Sequence, residues 1–145
     1  MDRRNVFRAA LSGVFAAAAA GSARAAGASA AKVVYHLADV EKVSFVLGNV
    51  RNHVAGTGGP GRVSLAVVVH GPALHVLRAK TPNVAVTEDV RALVADSVAF
   101  FACANTMAAM GLTRTDLLPG FAVAENGGVV KLAQLQGEGW AYLRP

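Results

Sequence analysis

The sequence predicts an α/β fold: a single domain with a mostly parallel five-stranded sheet and helices on both faces. Short β-rich runs alternate with helically spaced apolar residues from Lys32 to Arg144, and strands spaced by helices imply right-handed βαβ crossovers. The run Leu65 to Val69 is continuously apolar, as in a strand covered on both sides. Glycine and proline clusters such as GTGGPG and Gly71-Pro72 separate the runs, marking turns rather than strand or helix interiors.

The elements follow in order. Lys32-VVYHL is the first strand, and Asp39 is placed to cap a helix whose Val43, Val46, Leu47, Val50 and Val54 recur at helical spacing. GTGGPG, Gly56 to Gly61, ends that helix. The second strand is Arg62-VSLAVVVH, broken by Gly71 and Pro72, with a short helical piece over 73–79. Beyond Thr81-Pro82-Asn83, Thr87 is read as the cap of a helix to Asp96, with Glu88 and Asp89 favourably placed in its first turn. Residues Ser97 to Ala102 form the third strand, and 104–110 are helix formers ended by Gly111, a natural C-cap. Phe121 to Ala124 make a fourth strand, Gly127 to Gly137 a helix, and Trp140 to Arg144 a fifth strand whose Trp140 and Tyr142 share one face.

The first residues read as a twin-arginine export signal over 1–25. Arg3 and Arg4 precede apolar Val6 and Phe7 and an alanine-dominated stretch, and Ala23-Arg24-Ala25 is a small-x-small cleavage site. The stretch is too short and alanine-rich to span a bilayer comfortably. A small-residue tether, 26–31, would join the signal to a domain over 32–145, placing the mature protein in the periplasm without stable membrane insertion. Removing the signal changes the electrostatics. The full chain carries 14 Lys plus Arg against 9 Asp plus Glu, and 1–25 hold Arg3, Arg4, Arg8 and Arg24 against Asp2, leaving 10 against 8 and a net charge of +2 instead of +5. No basic cluster with interleaved aromatics remains, so nucleic-acid binding is not expected.

In a parallel sheet the strand carboxyl ends share one rim, where ligands bind. His36 and Asp39 follow the first strand, His70 the second, Cys103 with Asn105 and Thr106 the third, and Glu125 and Asn126 the fourth. Cys103, the only cysteine, sits on a strand-to-helix turn where unpaired N–H groups and the helix dipole favour its thiolate. The same placement suits a small buried hydrophobe. His70 is a candidate proton donor or charge partner, or a strand-end residue bonded to backbone. Asn105 and Thr106 are placed to donate to a sulfur anion or to satisfy the helix start. His36 reads equally as a packed strand residue, and Asp39 as a helix cap. Metal ligation by Cys103, His36 and His70 lacks a local pair such as CxxC or HExxH, so no metal is expected. GTGGPG lacks the Lys-Ser/Thr ending of a phosphate loop and lies on the opposite rim.

Taken together, VVYHLADVEKVSFVLGNVRN, the strand ending in His70-Gly71, FFACANTMAAMGL and GGVVKLAQLQGEGWAYLRP resemble the DsrE/DsrF-like family of small sulfur-handling proteins. The resemblance implies a flavodoxin-like three-layer fold, assembly into trimers or hexamers, and transfer of sulfane sulfur as a persulfide on Cys103, which matches the family's sulfur-accepting position. One thiol per subunit suffices for that chemistry, with no cofactor. The expected partners are polysulfide or protein sulfur donors and acceptors. The alternative is a binding or oligomeric assembly module with an unreactive Cys103.

Overall fold

The computed structural model describes residues 30–80 and 82–145; the expected signal segment and most of the tether lie outside the described residues. Five strands, β1 (Lys32–Leu37), β2 (Ser64–Val69), β3 (Ala99–Cys103), β4 (Phe121–Ala124) and β5 (Ala141–Leu143), form one sheet in the order β4-β3-β2-β1-β5. Every pairing is parallel, so the sheet is wholly rather than mostly parallel. The helices are α1 (Val43–Gly56), α2 (Val84–Ala95), α3 (Ala104–Ala109) and α4 (Gly128–Gly137). No helix among the described residues is long and apolar enough to cross a membrane.

The strand order explains the layers. From β1 to β4 the chain steps along the sheet in one direction, and right-handed crossovers put the connecting helices on one face. From β4 it returns to β5 beside β1, so the last crossover, α4, lies on the other face. The large core lies on the first face, where Val46, Leu47 and Val50 of α1 and Val90 and Leu93 of α2 pack on Tyr35, Leu37, Val67, Val69 and Phe100. Each fully buried Val, Leu or Phe contributes about 1.5–3 kcal/mol. The second face has a smaller core: Leu132 and Leu135 of α4 on Val34, Ala66 and Val68, flanked by Phe101 and Trp140. Alternation along each strand therefore assigns His36, His70 and Cys103 to the α4 face.

Several local expectations are corrected. Asp39 does not cap α1. It precedes a 3₁₀ turn, Val40–Lys42, and its side chain makes no cap hydrogen bond. Thr87 does not open α2 either. The helix starts at Val84, and Asn83 is the cap, its Oδ1 accepting from the Val86 N–H at 3.3 Å. Thr87 instead lies inside the first turn and donates its hydroxyl to the Asn83 carbonyl. Ser97 is not strand. Its φ of 67° and the bond from the Val98 N–H to the Leu93 carbonyl make it the left-handed residue that closes α2. The piece expected over 73–79 is a 3₁₀ segment, Gly71–Leu77.

Candidate functional site

Cys103 is both the last residue of β3 and the N-cap of α3, so its sulfur lies at the strand-to-helix turn expected from sequence. It retains only 6% exposure yet joins neither apolar core cluster. Burial pushes the thiol pKa up, but hydrogen bonds outweigh it. The Thr106 N–H, the Gly128 N–H, the Thr106 hydroxyl and the Asn105 N–H all favour the sulfur anion, and the net pKa lies below the ordinary thiol value. Two of these donors open α3 and one opens α4, where the first N–H groups have no partner within the helix.

Three glycines hold this arrangement. Gly71, with φ of 61°, turns its N–H onto Thr106 Oγ1 at 3.0 Å. The Thr106 oxygen is thereby used as an acceptor, which leaves its proton free for the sulfur. Gly127 and Gly128 bring α4 in close. A Cβ on Gly128 would stand 3.3 Å from both Cys103 Cβ and His70 Cβ, and one on Gly127, at φ of 94°, would stand 2.8 Å from Asn105 Nδ2. Only glycine allows this approach without displacing its neighbours.

The histidines form the other half of the site. Register pairs His36 with Val68 and Val69 with Ala102, so one further step sets His70 beside Cys103. His36 and His70 meet through their Nε2 atoms, with ring centroids 4.6 Å apart and planes 27° apart. His36 Nδ1 contacts the Tyr142 hydroxyl at 2.6 Å. Burial lowers the pKa of both imidazoles, that of His36 to about 4 with help from His70 and Arg144, and Asp39 opposes the shift. Near neutrality His70 is therefore an uncharged hydrogen-bonding group, not the positive partner that sequence allowed. Asp39 lies 3.8 Å from Arg144, its Oδ2 toward the guanidinium Nη2.

The rim thus brings together Cys103, Asn105, Thr106, His70, His36 and Asp39. Glu125 and Asn126 line an adjoining depression with Lys131 and Gln134. His53 lies away from the rim, its Nδ1 2.9 Å from the Tyr35 hydroxyl on the α1 face. Among the described residues no group of three or more His, Cys, Asp or Glu is placed to hold a metal ion. Sequence reasoning missed Gly128 and Tyr142. The Gly127-Gly128 pair at the junction of β4 and α4 was a usable signal, because paired glycines at a strand-to-helix junction mark close backbone approach. Tyr142 read as strand packing, since nothing local ties residue 142 to residue 36.

Fold and site together define a small parallel α/β protein with one anion-stabilised thiol on its carboxyl rim. The chain belongs to the DsrE/DsrF-like family, which it matches over residues 13–145. Membership points to sulfur relay at the level of the family. Among solved structures, the chain is similar to the protein of unknown function MTH1491 from Methanobacterium thermoautotrophicum, at 36% identity and a TM-score of 0.70, over 79% of this chain and 99% of that one. The ychN protein from E. coli shares the fold at 18% identity and a TM-score of 0.58, again over 79% and 99% of the two chains. No curated protein matches the sequence significantly.

Proposed function

We propose that the protein carries sulfane sulfur as a persulfide on Cys103 and passes it to an acceptor thiol. The observation that carries this reading is the convergence of the Thr106, Gly128 and Asn105 N–H groups and the Thr106 hydroxyl on a buried sulfur, which favours its anion against burial. The Cys103 thiolate attacks the outer sulfur of a polysulfide or persulfide donor, R–S–SH. The donor S–S bond breaks, its electron pair leaves on RS⁻, and Cys103–S–SH remains. In the second step an acceptor thiolate attacks the outer sulfur and the Cys103 thiolate returns as leaving group. Neither step needs a cofactor. Donors aimed at Cys103 stabilise it as nucleophile and again as leaving group.

The twin-arginine pattern at Arg3-Arg4 supports an exported, periplasmic carrier. Assembly into a homo-oligomer is supported by the exposed apolar side chains Val129, Val130 and Leu143 on α4 and β5. The 6% exposure of Cys103 favours the second reading, a binding or assembly module with an unreactive thiol. Incubation with polysulfide followed by intact-mass measurement separates the two. A reductant-labile gain of sulfur, absent in Cys103→Ser, is expected of the carrier. No gain where a control thiol is modified would sink it.

A further inference from the structure

Three side chains, two on strands and one just past a third, form a hydrogen-bonded row that ends beside Cys103. Tyr142 of β5 meets His36 of β1 at 2.6 Å, and His36 meets His70, the residue after β2, through the two Nε2 atoms. Packing of the sheet alone does not require this row. Two imidazole nitrogens in contact must share one proton, because two bare lone pairs or two N–H groups would repel. The shared proton has two placements. When His36 Nε2 holds it, His36 Nδ1 accepts from the Tyr142 hydroxyl and His70 bears its proton on Nδ1. When His70 Nε2 holds it, His36 carries its proton on Nδ1 and His70 Nδ1 is bare. Passing from the first placement to the second delivers a proton from the Tyr142 end to the His70 end. Tyr142 is 39% exposed, so its hydroxyl can be resupplied by water, whereas Cys103 is almost closed to solvent.

We propose that His70, supplied through His36 and Tyr142, delivers the proton that turns the persulfide on Cys103 into a sulfur donor. The proposal rests on the carrier reading above. A persulfide loses its outer proton readily, and Cys103–S–S⁻ repels an incoming thiolate. His70 Nδ1–H gives its proton to the outer sulfur, His70 Nε2 takes the proton of His36 Nε2, and His36 Nδ1 takes the proton of Tyr142, which water replaces. The net change is one proton moved from solvent to sulfur, with no electron transferred. The acceptor thiolate then bonds to the outer sulfur while the S–S electron pair returns to Cys103. His70 stands beside Cys103 one register step past the Val69–Ala102 pair; His36 and Tyr142 act through it as positioning residues. The other charged groups acting on the pair are Asp39 and Arg144, of opposite sign and 3.8 Å apart. Lys131 of α4 lies over the Phe101 ring, 4.3 Å from its centroid.

The test loads the full domain with polysulfide, confirms the added mass, and follows transfer to glutathione across pH in wild type, Tyr142→Phe and His36→Gln. Tyr142→Phe removes one half-exposed hydroxyl and leaves the ring, so folding is not at stake. Per sulfur loaded, both variants should release sulfur at least about a hundredfold more slowly at neutral pH, the low end of general-acid effects. Their transfer rates should fall steadily between about pH 6 and 8, where the wild-type rate is held up by the relay. Superimposable rates and pH profiles in all three proteins would overturn the relay and leave the carrier standing. A wild type that takes up no sulfur would overturn both. Stoichiometric zinc in protein purified without chelator, lost in His36→Gln, would replace the shared proton with a shared cation and also overturn the relay.

Discussion

The first residue of α4, Gly128, lies so close to the end of β3 that a side chain there would stand 3.3 Å from the Cys103 Cβ, and its N–H favours the anionic sulfur. The first turn of α4 is thus fitted against the end of β3. Gly128→Ala forces the helix start or the β3 end to move by tenths of an ångström, weakening the hold of the Gly128 N–H on the sulfur anion. Alkylation of Cys103 by iodoacetamide at pH 7 should slow roughly tenfold, the equivalent of one hydrogen bond to a charged group. An unchanged alkylation profile would remove Gly128 from the site.

Thr106 accepts from the Gly71 N–H, and its hydroxyl favours the Cys103 anion, so its two roles can be separated from its size. Thr106→Val keeps the shape but leaves the Gly71 N–H unpaired, costing about 1–3 kcal/mol in denaturant unfolding, and it moves thiol titration to higher pH. Thr106→Ser retains the hydroxyl and should stay close to wild type in both measurements. Equal behaviour of Val and Ser would show that the hydroxyl is idle.

The folded pKa values of His36 and His70 lie below the unfolded value of about 6.5, that of His36 near 4. Above both values the imidazoles are neutral in either state and contribute no pH dependence. As pH falls from about 6.5 toward 4, the unfolded chain takes up protons that the folded chain refuses, so stability declines across that window. Thermal melting points should therefore drop on acidification through this range. His36→Gln should flatten the slope, and a slope identical to wild type would mean that these imidazoles are not depressed.

Backbone conformation sets two further expectations. Gly120 combines φ of 98° with a Cβ position 2.5 Å from Val94 Cγ2, so Gly120→Ala should destabilise by about 2 kcal/mol or more. Ser97 holds φ of 67° without being glycine, and Ser97→Gly should relieve strain by about 0.5–1 kcal/mol. Denaturant midpoints measure both. A Gly120→Ala variant as stable as wild type would show that the Val94 contact yields freely.

Much of this molecule was legible in its sequence because the signals are local. Helical spacing at Val43, Val46, Leu47, Val50 and Val54 identified the buried face of α1, and all five are buried. Strand alternation with intervening helices defined the α/β class, and Cys103 at the end of an apolar run before helix formers marked the turn. Helix starts were read less well. Thr87 and Asn83 are equally good caps by type, and the difference lies in the backbone, which is extended at Asn83 and already helical at Thr87.

The sequence by itself therefore determined the class of fold, the strand ends that carry the polar residues, and the thiol at the turn, since each depends on the periodicity and conformational preference of a few adjacent residues. Tertiary structure decided the rest. Which strand lies beside which, the return of α4 over the opposite face, the Gly128 N–H on Cys103 and the Tyr142–His36–His70 row join residues up to 106 positions apart. Such contacts follow from register and crossover handedness, which bring distant side chains together without leaving a mark on the residues next to them in the chain.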